Sequence, residues 1–126
     1  MLSPIPRLVA AVVITGGSLV AAPSVAAAAT DVTPPSVPQN LHVSGEDRGQ
    51  AIISWDPSTD DSGTVRHYWV LVDGQQRARP TATTYDIETL VLLCRITSGP
   101  HDITVEAVDP SLNRSAQSAP LGITVR

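Results

Sequence analysis

After Pro38, turn formers cut the chain into short runs that alternate apolar and polar residues. A strand sends successive side chains to opposite faces, so alternation marks a half-buried strand. Leu41-His42-Val43 is the first run, and Ser44 to Gly49 reads as a polar turn. Gln50 to Trp55 places Ala51, Ile53 and Trp55 on one face. Asp56 to Thr64, DPSTDDSGT, is a loop rich in Asx-turn formers. Val65 to Val72 is the third run, Asp73-Gly74 a hairpin turn, and Gln75 to Ala78 its return strand. A fifth strand is expected within Thr83 to Cys94, register open. Ser98-Gly99-Pro100 breaks the chain before His101 to Val108, where Ile103, Val105 and Ala107 alternate with Asp102, Thr104 and Glu106. Asp109 to Ser115 is a second polar loop, and Leu121 to Val125 is the last strand. No segment carries sustained helical periodicity. This pattern predicts an all-β, seven-stranded antiparallel β-sandwich.

The first residues have another character. Arg7 is followed by a mostly apolar run, Leu8 to Val20, and by small residues from Ala21 to Ala29. That order is expected of a secretion signal over residues 1–29, cleaved after Ala29. An uncleaved anchor is the other reading of the same run. Residues 30–38, TDVTPPSVP, read as a proline-rich linker, an extended and semi-rigid spacer. The domain then spans 39–126. The chain of 126 residues carries a net charge of −4, and losing Arg7 makes it more acidic. Such a balance offers no electrostatic footprint for nucleic acid, and once the signal is gone nothing is expected to hold a membrane. A single cysteine, Cys94, precludes an internal disulfide. In the run LVLLC it reads as a small buried hydrophobe, with a link to another chain as the alternative.

Several ordered motifs resemble a fibronectin type III domain of the bacterial type found in secreted chitinases, cellulases and other extracellular proteins. TPPSVPQNL resembles the family's entry segment. ISWDPSTDD resembles the second strand with its core tryptophan and the loop after it. HYWVLVDG resembles the third strand, and ITSGPHDITVEAVDPSLNRSAQS the sixth strand and its following loop. The resemblance implies an immunoglobulin-like sandwich and a non-catalytic module. It implies links with polysaccharide degradation by association alone. Where many members carry a tyrosine whose hydroxyl ties down a corner, this chain has His101. Its ring N–H either replaces that bond or leaves the corner looser.

Tyr68 and Trp69 are adjacent, so only one ring can fill a one-sided core. The family pattern points Tyr68 and Val70 inward, facing Trp55. Trp69 then points outward with His67 and Leu71, near Thr104 and Glu106, and this face is expected to show Trp69, Leu71 and part of Val108 to solvent. Trp69, Leu71, His67 and Glu106 are the candidate binding residues, for a polysaccharide, a cell-wall component or another protein. The competing role for Trp69 is cross-strand packing.

No catalytic residues are expected. Asp56, Asp60, Asp61 and Asp109 sit in polar turns, where carboxylates usually accept backbone N–H bonds. A weak calcium site is their alternative role. No cofactor is expected, and His42, His67 and His101 lack metal-ligand spacing. Asn113-Arg114-Ser115 is a formal glycosylation sequon.

Overall fold

The computed structural model describes residues 30–47 and 50–126. The expected secretion signal, residues 1–29, lies outside the described residues. Among the described residues, seven strands form two antiparallel sheets. They are β1 (Gln39–Asp47), β2 (Gln50–Asp56), β3 (His67–Val72), β4 (Gln75–Ala78), β5 (Thr84–Asp86), β6 (Gly99–Val108) and β7 (Leu121–Val125). One sheet has the order β1-β2-β5 and the other β4-β3-β6-β7. The antiparallel β-sandwich predicted from alternation, in the immunoglobulin-like form that the resemblance implies, is the architecture observed.

The core lies where the inward residues of the two sheets meet. Ile53, Val70, Ile103, Val105 and Ala107 are fully buried, as Trp55 and Tyr68 nearly are. The two rings meet edge to face, 5.3 Å between centroids, an arrangement that aligns a ring's positive edge with its neighbour's negative face. Tyr68 also receives a bond from the Ser58 N–H at 3.0 Å, tying the β2–β3 loop to the core. The Asp73-Gly74 turn closes the β3–β4 hairpin with positive φ at both residues, 51° and 84°. This backbone matches the twist of the flanking strands.

Two expectations are corrected. The polar stretch Ser44 to Asp47 continues β1, with irregular register against β2, and does not form a turn. The stretch expected to hold a fifth strand divides. Only Thr84–Asp86 is extended, and a helix, α1 (Ile87–Cys94), follows. Asp86 caps it by accepting the Glu88 N–H at 2.8 Å, and Glu88 adds negative charge to the first turn. Arg95, at φ 54°, ends it in the left-handed region. Ile87 and Leu90 are buried, with Val91 and Cys94 packed partly against the core. That is helical spacing, hidden in an unbroken apolar run. Leu92 and Leu93 stay 67% and 77% exposed.

The proline-rich segment is fastened down. Ser36 donates its N–H to the Thr59 carbonyl at 2.8 Å and accepts the Thr59 N–H at its hydroxyl. Pro35 and Pro38 are buried. The spacer therefore lies along the β2–β3 loop.

Candidate functional site

Two places concentrate polar side chains with chemical potential. The first is the outer face of the four-stranded sheet. Pairing of β3 with β6 sets Trp69 opposite Glu106, Leu71 opposite Thr104 and His67 opposite Val108. The four candidate binding residues do share one face. Their exposure differs from expectation, because Leu71 is only 4% exposed, Val108 2% and Glu106 7%. Trp69 is half-buried. Alternation assigns residues to a face but does not say what lies over it.

Part of that cover is visible in the contacts. Arg114, from the β6–β7 connection, lays its guanidinium over the Trp69 ring, 4.4 Å from the centroid. Its Nε is 3.6 Å from Glu106 Oε1, close enough for charge pairing and too long for a hydrogen bond. Gln117, from the same connection, accepts the Thr104 hydroxyl at 3.0 Å. The connection is held along β6 by Ser115 and Ser118, whose N–H groups donate to the Ala107 and Val105 carbonyls. The Trp69 indole N–H donates to His67 Nε2 at 3.3 Å, which requires that nitrogen to be unprotonated. Burial, reinforced by Arg66 and Arg79, lowers the His67 pKa and favours the neutral ring.

The second place is an acidic corner. Asp31, Asp60 and Asp109 each offer one carboxylate oxygen, and the three oxygens lie within 4.8 Å of one another. They come from the entry segment, the β2–β3 loop and the β6–β7 connection. Of the four acids expected here, Asp60 and Asp109 belong to the cluster. Asp61 lies beside it on the surface, in a shallow recess shared with Asp31 and Ser62. Asp56 is elsewhere, at the end of β2, where it accepts the Asn40 amide at 3.5 Å. Asp31 was missed, because a residue in a presumed spacer gives no sign that the chain folds back.

Asp109 is fully buried and ordered by Asn113, whose N–H and side-chain amide donate to its two oxygens at 2.9 and 2.8 Å. Burial raises the Asp109 pKa, but these bonds, with the Ser111 N–H and a side-chain hydrogen bond from Asp31, outweigh it and hold the group below its ordinary value. Asp31 behaves oppositely. The Thr33 N–H lowers its pKa, while burial and the charges of Asp61, Asp109 and Asp60 together raise it above the ordinary value. The Asn113 amide also donates to the Asp31 carbonyl at 3.1 Å. The sequon asparagine is thus a structural clasp between two segments.

The remaining candidates have local roles. His101 Nδ1 lies 2.6 Å from Asp73 Oδ2, and Nε2 lies 2.8 Å from the Thr97 carbonyl. Of the two outcomes expected for His101, a corner bonded by its ring is the one observed. Both partners are acceptors, so the ring satisfies both only as imidazolium. Its pKa is raised accordingly, chiefly by Asp73. His42 bonds the Asn40 carbonyl nearby. Cys94 is half-buried and donates its thiol to the Arg77 carbonyl at 3.2 Å. Among the described residues, no helix is long and apolar enough to cross a membrane.

No family model matches this sequence, and no curated protein matches it. Solved structures do resemble the fold. The Clostridium perfringens spore cortex lytic enzyme SleM aligns with a TM-score of 0.55 and 21% identity, over 72% of this chain and 28% of that one. A Bacillus thuringiensis chitinase aligns at 0.58 and 21%, over 73% of this chain and 13% of its own. The central fibronectin-III array of RIM-binding protein aligns at 0.52 and 24%, over 75% and 33%. The chain spans a third or less of each of these three proteins. At such identities the likeness speaks for the fold, which is the fibronectin type III sandwich.

Proposed function

We propose that this chain is an exported, non-catalytic accessory module, freed of residues 1–29 and organised as entry segment 30–38 and sandwich 39–126. Its task is to hold an extracellular polysaccharide. The observation that carries this reading is the Trp69–Arg114 pair. An indole pinned under a guanidinium has lost its rotamer freedom before any ligand arrives, which lowers the cost of binding. Trp69 is half-buried and the Arg114 side chain half-exposed, so the pair is open to solvent in part. A sugar presents the complementary C–H groups and hydroxyls. Chitinase and spore cortex lytic enzyme among the structural neighbours support the substrate class.

A second reading rests on a different observation. Leu92 and Leu93 are adjacent on α1 and largely exposed, as an apolar contact with another protein requires. The RIM-binding protein array offers a neighbour of another kind.

Retention on insoluble chitin, cellulose and peptidoglycan separates the two. The parent protein should be retained on at least one. Trp69→Ala should lose retention with its circular dichroism unchanged, and the Leu92→Ser/Leu93→Ser double variant should keep it. Equal retention of parent and Trp69→Ala, or none by the parent, overturns the sugar reading.

A further inference from the structure

The acidic corner poses a charge problem that its own residues leave unsolved. Its oxygens are anchored on one side and bare on the other. Asp31 Oδ1 accepts the Thr33 N–H at 2.9 Å, and Asp60 Oδ2 accepts the Ser62 N–H at 3.0 Å. Those bonds fix the two carboxylates. Their other oxygens, Asp31 Oδ2 and Asp60 Oδ1, are sealed from solvent and receive no hydrogen bond. A buried carboxylate oxygen without a donor carries its full desolvation cost. The wholly buried Asp109 carboxylate, itself an anion bonded to Asn113, belongs to the same cluster, in which one oxygen of each acid lies within 4.8 Å of the others. Among the described residues, no arginine or histidine forms an ion pair with any of the three.

We infer that Asp31, Asp60 and Asp109 bind a divalent cation of calcium type, which fastens the entry segment to the sandwich. Three convergent carboxylate oxygens suit a hard cation. Calcium–oxygen distances of about 2.3–2.6 Å allow ligand oxygens up to about 5 Å apart, and the three here fall within 4.8 Å. The remaining ligands would be water admitted by a small movement of the corner, since the two orphan oxygens are sealed from solvent. Calcium prefers six to eight oxygens, so a site with three protein carboxylates belongs to the weak class, at roughly 0.1–1 mM. Such affinity suits extracellular calcium. The bound ion would join three segments that the chain order keeps apart. In doing so it would fix the direction of the polypeptide at Thr30. The rival solution is a proton held between Asp31 and Asp109, which needs no metal.

The test is thermal unfolding of the EDTA-treated, dialysed protein, with calcium chloride titrated at constant ionic strength and magnesium chloride as control. About 10 mM calcium should raise Tm by roughly 5 °C or more, with a smaller rise for magnesium. Asp60→Asn and Asp31→Asn should each abolish the calcium response. Without calcium, both variants should melt at or above the parent temperature, because they remove like-charge repulsion. This last result separates a metal site from a merely structural role, and neither variant disturbs the buried Asp109 turn. A calcium response no larger than that of a matched sodium chloride control overturns the inference in favour of the shared proton. So does an undiminished response in both variants.

Discussion

Glu106 and the Asp31–Asp60–Asp109 corner both withdraw carboxylates from water, on opposite terms. Glu106 lies under a cation that the chain itself supplies, Arg114, delivered by a connection hydrogen-bonded along β6. The corner gathers three acids from three segments and brings no cation of its own among the described residues. A third case stands between them. Asp73 pairs with His101, a cation that exists only while the ring stays protonated. The same sandwich thus holds negative charge with a permanent counterion at Glu106, a titratable one at the exposed Asp73, and none at the corner among the described residues. The difference teaches where outside chemistry is needed. The cation beside Trp69 and Glu106 comes from the chain itself, whereas the turn acids have none among the described residues.

Removing the internal cation is the strongest way to break this contrast. Arg114→Ala should cost about 1–2 kcal/mol, from the lost cover on Trp69 and the unpaired Glu106, discounted because the guanidinium is half-exposed. Urea unfolding measures it. Calcium should not restore the loss, and adding Glu106→Gln to that variant should recover part of it. A cost near zero would mean that Glu106 tolerates burial without Arg114.

The titratable case should respond to pH alone. The folded His101 pKa lies above the ordinary 6.5. Its contribution is therefore complete below about pH 6.5 and fades as pH rises through the raised value. Asp73 is shifted down, first by the Asp102 N–H and then by His101, with Arg77 assisting. Its contribution persists above the ordinary carboxylate range and is lost only as pH falls through the lowered value. Tm should drop by a few degrees from about pH 6 to about pH 8 in the parent, relative to a flat His101→Gln variant. Parallel curves would show that the pair does not respond to protonation.

The smallest effect belongs to Asp61, which adds charge near the corner without joining it. Asp61→Asn should weaken calcium binding by less than about two-fold, since exposed charge at this range is screened. Titration calorimetry would reveal a larger loss, and that would make Asp61 a ligand.

The sheets were legible because period-two alternation is a local signal, and Ile103, Val105 and Ala107 display it in three successive inward positions. The helix was obscured because ETLVLLC is apolar on nearly every side. Its pointers were Asp86 and Glu88, a cap and a first-turn acid that compete poorly with an apolar run in a β context. Burial of Leu71 and Val108 depends on what covers the face, which no strand pattern encodes. Asp60 and Asp109 could be placed in neighbouring loops by the fold. Asp31 could not, because its position depends on Ser36 and Asn113 drawing the entry segment inward.

Helix α1 also bears on how the protein behaves in a crowd of its own kind. The β5 edge of the three-stranded sheet extends for only three residues before the chain turns helical. Across the seam, the Cys94 thiol occupies a carbonyl of β4, the edge of the other sheet. Unpaired edge groups are the template on which foreign strands add. On this flank one edge is too short to recruit a strand, and the other has a carbonyl already engaged. The helix therefore works against fibril growth from this side, whatever the module binds.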